Sequence, residues 1–514
     1  MRKLLMASTA ILGASGGLAF AQVPPVPVTA NPNQGQLVAP YGAGNAANNN
    51  NNAWGTANTP TGGAAAGPLS TIYAPNVDAV PSPGTIVIRI NARVEVDVSA
   101  TYTSVDKSIN AEGVSNGYKL NPVGISSYFR LYPGFDGLAA NGLRYGASVE
   151  LRENFVAGNA SSIEQPAGTG TATSPSANTS SETVFVRRAF TYLAADQAGI
   201  VRFGQTDGVL GLFDNCIFST QCWDAGIGNF NGGIEQTFGP SNVAIPFVWL
   251  AQAGAEYGNQ KIVYLTPQFF GFDFGVQYAP TMGNSNQMEG SGAACGQAAP
   301  GCINLSSGND STRWLNQVAV GLRYQQTFGA VDVKAYGFYE TAGRENLTTA
   351  AYAAPSPTGG TQTLRYDDLS FYKAGVAVTA LNITAAADYI GGAVNQQLNM
   401  RPSGGAPMNA VVTGLTYANG PITAGAEIGI IDDQGAAQLT HISQRHMYEI
   451  GFGGSYKLAP GVQLVGEYMY EHLHQGGFDF ANNTSASFGA TATKAGATRD
   501  GQAQSLVFAT VLVW

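Results

Sequence analysis

The chain has 514 residues, with 24 Lys+Arg against 33 Asp+Glu. That acidic balance argues against nucleic acid as a partner, which demands a basic face. Charged residues make up only 11%, below the usual quarter, and 66 glycines with many Ala, Asn, Thr and Tyr fill the space, an odd composition for an ordinary domain.

Taken in chain order, residues 1–21 read as a secretory signal. Arg2 and Lys3 open it, Leu4 to Ala14 is mostly apolar, and Ala19-Phe20-Ala21 fits the small-x-small cleavage rule. The run is too short for a spanning helix, and Ser8, Thr9 and Gly13 weaken it further. Cleavage before Gln22 removes two cations and no acid, leaving 22 Lys+Arg against 33 Asp+Glu, a net charge of −11. Residues 22–83 are a Pro, Asn, Gly and Ala tract that includes Asn48 to Asn52. With scattered apolar residues it cannot bury enough surface to fold, and it is expected to be a disordered periplasmic leader.

The texture changes at Gly84. Ile86, Ile88, Ile90, Ala92, Val94, Val96 and Val98 alternate with Val87, Arg89, Asn91, Arg93, Glu95, Asp97 and Ser99. Period two makes a strand, and its second face is charged. It is long enough to cross a bilayer when tilted, which takes about 9–11 residues. The same signature predicts strands near 85–102, 125–135, 142–155, 183–195, 199–206, 260–267, 272–280 and 314–328. Eight more are predicted near 331–343, 369–380, 383–394, 410–419, 422–431, 445–457, 462–473 and 504–514. Short connections such as Gly329–Ala330, Leu381–Asn382 and Gly420–Pro421 alternate with long ones such as 207–259 and 281–313. The mature chain carries no uncharged apolar run near 18 residues, so a membrane-embedded form must be a closed barrel. The fold class expected is therefore all-β: a closed antiparallel transmembrane β-barrel of about 16 strands over residues 84–514, with short turns on one rim and long loops on the other. Phe135, Tyr324, Phe328, Tyr417, Tyr456 and Trp514 fall near the short-turn rim, and Tyr102, Tyr339, Tyr372, Tyr389 and Tyr448 near the other, where an aromatic girdle belongs.

Alternation also assigns the inner wall. Arg89, Arg93, Glu95 and Asp97 oppose the apolar face of the first strand, Arg130 that of the second, and Arg144, Glu150 and Arg152 that of the third. Arg187 and Arg188 are neighbours on opposite faces; Arg188 shares its face with Val184, Val186 and Phe190, so Arg187 is taken as the inward one. Arg202 is inward in the fifth strand. The four cysteines form two local pairs, Cys216 with Cys222 and Cys295 with Cys302, and export permits each to close as a loop disulfide. His472 and His474 share a face without a third metal ligand in view, and His441 and His446 are weaker candidates still, so no metal site is assigned. No nucleophile elbow, phosphate loop or catalytic carboxylate pair stands out, so neither an enzyme nor a cofactor is expected. A β-solenoid would show a fixed short repeat, which is not found.

Three segments resemble the Gram-negative trimeric porin family, in its alphaproteobacterial, general-porin form. Tyr264-Leu265-Thr266-Pro267-Gln268-Phe269-Phe270-Gly271-Phe272 is similar to the family's Tyr-x-Thr/Ser-Pro-x-Phe-x-Gly-Phe strand–turn–strand. Arg187-Arg188-Ala189-Phe190 followed by Val201-Arg202-Phe203-Gly204-Gln205 resembles its fourth and fifth strands. The last strand alternates through Leu506, Phe508, Thr510 and Leu512 to Trp514, where the family more often ends in Phe. The resemblance implies a homotrimer in outer-membrane lipid that passes ions and small hydrophilic solutes, with a third loop folded into each barrel against basic wall residues. That loop is 207–259, with Asp207, Asp214, Asp224, Glu235 and Glu256. The expected constriction then pairs Arg93, Arg130, Arg187 and Arg202 with Asp207, Asp214, Asp224 and Glu235. The net charge tips the expected ion preference toward cations. A substrate-specific channel for sugar or phosphate is the alternative, because fold does not set selectivity.

Overall fold

The computed structural model describes residues 83–104, 107–109, 115–119, 121–154, 185–195, 198–206, 208–210, 260–267, 269–281, 314–344, 353–355, 361–363, 366–395, 400–435, 443–459, 461–479, 484–485 and 500–513. The signal and leader expected over 1–83 fall, but for Pro83, outside them. So do His441, Trp514, Asp207, Asp214, Asp224, Glu235 and Glu256. All four cysteines do as well, so the disulfide expected between Cys216 and Cys222, and the one expected between Cys295 and Cys302, are not among the contacts of the described residues.

Among the described residues, sixteen antiparallel strands close into a barrel. In chain order they are β1 (Thr85–Thr103), β2 (Val123–Leu138), β3 (Arg144–Asn154), β4 (Phe185–Ala195), β5 (Gly199–Gln205), β6 (Gln260–Leu265), β7 (Phe272–Thr281) and β8 (Trp314–Phe328). Then follow β9 (Val331–Arg344), β10 (Leu369–Ala380), β11 (Ile383–Ala393), β12 (Met408–Asn419), β13 (Ile422–Asp433), β14 (Arg445–Ala459), β15 (Val462–Gln475) and β16 (Asp500–Val513). Each strand pairs with its neighbours in sequence, and β16 returns to β1 in a register running from Arg93 opposite Val513 to Thr103 opposite Ala503. Closure leaves no strand edge, so the wall amides find partners without water. Three small hairpins, 107–109 with 115–119, 353–355 with 361–363 and 478–479 with 484–485, decorate the long loops.

The turns on the short-loop rim are set by local chemistry. β10 and β11 are joined by Leu381 and Asn382, at φ 52° and 65°. Two positive φ values in succession make the tight turn whose twist matches the flanking strands. Gly329 (φ 63°) and Gly420 (φ 57°) open the corresponding turns after β8 and β12, where only glycine takes that conformation without steric cost.

Period two sorts the side chains into two environments. Ile88, Val98, Ile125, Leu322, Ile430, Phe452 and Phe508 lie exposed on the outside, whereas Glu95, Asp97, Glu427, Glu449, Glu467 and Glu471 lie buried on the inside. Among the described residues no helix is long and apolar enough to cross a membrane. Tyrosines ring the outside near the long-loop rim: Tyr339 is the cross-strand partner of Tyr372, whose ring lies 5.7 Å from that of Tyr389. Tyr448 stacks on His472 at 5.2 Å, and Tyr417, Tyr456 and Phe328 are exposed towards the other rim. These two bands sit where amphipathic rings meet headgroups.

One face assignment fails. β3 and β4 run in register from Arg144 opposite Ala194 to Glu150 opposite Arg188, and then slip, so that Leu151 faces Val186. Phe190, Tyr192 and Ala194 are buried on the inner face while Val186 is exposed on the outer one. Position 188 therefore shares the row of buried Glu150, and the extra residue of the irregularity is Arg187. Alternation counted from Val186 through Phe190 does not survive a bulge, because one inserted residue exchanges the two faces.

Candidate pore lining

The inner wall is built by the alternate residues of every strand, so its charge pattern depends on register as much as on sequence. Arg93 is the direct partner of Arg130, and Arg130 of Arg152. Three arginine positions on β1, β2 and β3 thus fall on one cross-strand row. Arg202 belongs to another row, with Tyr192 on β4 and Val263 on β6 as its partners.

Arg202 is fully buried at the middle of β5, three residues before the strand ends and the long connection approaches. Its Nη1 donates to Thr206 Oγ1 at 3.0 Å, and its guanidinium carbon stands 5.0 Å from the centroid of the Phe190 ring. Thr206, Val209 and Leu210 are likewise fully buried. The Val209 amide donates to Gln277 Oε1 at 2.5 Å. Gln277 is an inward residue of β7, two strands away, so the root of this connection turns into the barrel rather than out over the rim.

The remaining wall charges are segregated around the circumference. On β6 to β10 stand Lys261, Arg323, Lys334 and Lys373, with Asp273 and Glu340 among them. Arg323 makes a two-pronged salt bridge to Asp273, with Nε at 3.0 Å from Oδ1 and Nη2 on Oδ2. Lys373 Nζ lies 5.5 Å from the Tyr336 ring centroid. On the far side the acids dominate. Glu449 and Glu471 are direct cross-strand partners on β14 and β15, and Glu427, Glu467, Glu95 and Asp97 occupy the inner faces of β13, β15 and β1.

Glycines shape this acidic arc. Glu427 is paired with Gly451 and Glu449 with Gly429. A Cβ on Gly451 would come within 2.8 Å of Glu427 Oε1, and one on Gly429 within 2.8 Å of Glu449 Oε1. Each carboxylate therefore lies along the wall over a glycine instead of projecting across the lumen. Alternation assigns Glu95 and Asp97 of this arc from the sequence but not its β13 to β15 members, although Glu449 between Tyr448 and Ile450 carries the same signal.

The histidines are drawn into a different arrangement. On the outer face of the long-loop rim, His446 Nδ1 lies 2.6 Å from Asp432 and His474 Nδ1 2.8 Å from Asp500. Among the described residues no group of three or more His, Cys, Asp or Glu is placed to hold a metal ion.

A closed transmembrane barrel, greasy outside and charged inside, defines an outer-membrane protein of the channel class. Residues 95–474 match the model of the Gram-negative porin family, and the chain belongs to that family. It is thus a β-barrel protein of the outer membrane. No curated protein matches it. Among solved structures it is similar to the outer-membrane-expressed OmpT of Vibrio cholerae, at 12% identity and a TM-score of 0.44, covering 85% of this chain and 100% of that one. It is also similar to an anion-selective porin from Comamonas acidovorans, at 13% identity and a TM-score of 0.44, covering 83% and 100%. A third is a porin mutant from Rh. blastica, at 12% identity and a TM-score of 0.39, covering 83% and 100%.

Proposed function

We propose that this porin is a passive diffusion channel for ions and small hydrophilic solutes, narrowed by residues 207–259 and weakly selective for cations. The observation that carries the reading is the inward turn at the root of that connection: Val209 and Leu210 are fully buried, and the Val209 amide is bound to the inner-wall Gln277. A connection of this length with its root inside the lumen occupies part of the bore. The acidic arc on β13, β14, β15 and β1 supports the cation preference, since charges lining a pore set which ions enter. Arg93, Arg130 and Arg202 form the basic side of the narrow zone in this reading, facing Asp207, Asp214, Asp224 and Glu235. Acids and bases on opposite sides create a transverse field that favours dipolar solutes over apolar ones. The protein is exported with loss of residues 1–21 and carries 22–83 as a periplasmic leader. It closes one disulfide between Cys216 and Cys222 and another between Cys295 and Cys302, and assembles as a homotrimer with one pore per protomer.

The test is conductance in planar bilayers of the wild-type protein and of a variant shortened within 211–259. The wild type conducts, and the shortened variant conducts more. Equal conductance would place the connection outside the bore and overturn the constriction. Saturable block of the current by one sugar or by phosphate would instead point to a substrate-specific channel.

A further inference from the structure

The inner face of an outer-membrane channel is expected to be wet and polar. Near the long-loop rim this barrel departs from that rule. Ile390, Ala410, Ile431, Met447 and Leu473 are successive cross-strand partners from β11 to β15, forming one unbroken apolar row on the inner wall. None is exposed to solvent beyond 5%. Phe371 and Met408 border the row and are equally buried. Apolar surface at a pore mouth stays out of water only if something sits on it.

What sits there is the set of loops around it. Val394 and Met400, from the connection after β11, and Tyr366, from the connection before β10, are buried in the same apolar cluster as the row. The loops are stitched to one another. Tyr366 bridges to Pro402, the Asp367 amide donates to the Arg401 carbonyl at 2.8 Å, and Arg401 Nη2 lies 2.5 Å from Asp367 Oδ2. Ser403 Oγ donates to the other oxygen of Asp367 at 2.9 Å. Asn395 exchanges two hydrogen bonds with the backbone of Gly435, at 2.8 and 2.9 Å, and Gln434 Oε1 accepts from the Ala406 amide at 2.7 Å.

The stitched loops are also pinned to the wall from inside. Gln475 is a fully buried inner-wall residue of β15; its Nε2 donates to the Gln434 carbonyl at 2.6 Å, and its Oε1 accepts from Arg445 Nε at 2.9 Å. A Cβ on Gly435 would meet Arg445 Nε at 2.5 Å and Gln475 Oε1 at 2.9 Å. The chain at Gly435 therefore passes directly over two inward side chains, with no room even for a methyl group. These loops bend into the mouth.

We propose that residues 366–368, 394–395, 400–407, 434–435 and 443–444 form a cap docked on the apolar row across β11 to β15. It is latched by Asp367–Arg401 and Asn395–Gly435 and acts as a second sieve, separate from the 207–259 connection. The proposal rests on the channel reading but not on the constriction. The apolar row beneath the cap lies one inner-wall row above Glu449 and Glu471, so the cap also controls access from outside to the acidic arc.

The test uses the full chain with Asn395→Ala and Arg401→Glu combined, which removes one latch and makes the other repulsive. Two narrow zones in series that contribute equally would give roughly twofold higher conductance when one is removed, so a rise up to about that factor is expected. Liposome swelling should show larger oligosaccharides entering faster while a monosaccharide changes little. Unchanged conductance and an unchanged size limit, in a variant that still runs as a folded, heat-modifiable barrel, would overturn the cap. If that variant does not fold, the pair Asp367→Cys and Arg401→Cys takes its place. These positions face each other across the loop bridge and should oxidise to a disulfide with wild-type conductance, whereas reduction loosens the latch and raises it. Failure to crosslink, or no change on reduction, would overturn the proposal. Absence of any conductance in the wild type would defeat the channel reading itself, a distinct outcome.

Discussion

Replacing Phe452 with Arg tests the placement of the outer face in hydrocarbon. Phe452 is 52% exposed on the outside of β14, four residues from Tyr448 and four from Tyr456. At about 3.4 Å per residue and a tilt near 45°, it lies about 10 Å from each tyrosine along the membrane normal, close to the midplane. Its ring packs against that of Tyr468 at 5.0 Å. Phe452→Ala loses that pair, worth about 0.5–1.5 kcal/mol beyond simple burial. Phe452→Arg should lose a further 2–4 kcal/mol or so, the cost of a lipid-facing Arg at the midplane. His446→Arg, on the same face at the rim beside Asp432, should cost about 1 kcal/mol or less. The assay is urea titration of the barrel folded into phospholipid vesicles, with free energies from linear extrapolation. If Phe452→Arg were no worse than Phe452→Ala, or His446→Arg cost as much, this face would not meet hydrocarbon at that depth.

Arg323→Ala leaves Asp273 buried without its guanidinium and should destabilise the barrel by about 3–5 kcal/mol, measured by the same titration. Arg323→Met with Asp273→Leu should recover most of that loss; a double variant as unstable as the single one would show that the pair is not the cause. Glu449→Gln with Glu471→Gln should shift the reversal potential in a salt gradient toward anions while leaving the heat-modifiable form intact, and an unmoved potential would take the acidic arc out of ion selection. Leu381, 87% exposed at φ 52°, holds a left-handed conformation that costs a branched residue about 1–2 kcal/mol. Leu381→Asn should therefore raise stability by about 1 kcal/mol, and a loss on urea titration would mean that the leucine side chain is packed in the membrane interface.

Much of the barrel is legible residue by residue. The alternation of Val94, Val96 and Val98 with Glu95, Asp97 and Ser99 is local, and the observed environments follow it. The short turns at Gly329, Leu381 and Gly420 were visible because a two-residue connection between alternating runs leaves the chain little choice. Strand ends were less so: β2 extends to Val123 and Leu138, and β16 begins at Asp500, where polar residues near the rims hide the alternation.

By itself the sequence determined which residues alternate and where the chain turns, since both are properties of neighbours along the backbone. Pairing decided the rest. The bulge at Arg187 exchanged the faces of β4, and nothing in Phe185-Val186-Arg187-Arg188 announces it, because a bulge exists only relative to the partner strand. The row through Arg93, Arg130 and Arg152 and the contact of Glu449 with Glu471 follow from register, which links residues far apart in the chain. The apolar row under the loops reads in the sequence as isolated residues: Ile390, Ala410, Ile431, Met447 and Leu473 come from five strands and become one surface only when the barrel closes. Once closed, that surface is in contact with water unless loops cover it, so the tertiary structure, not the local pattern, draws Val394, Met400 and Tyr366 into the mouth.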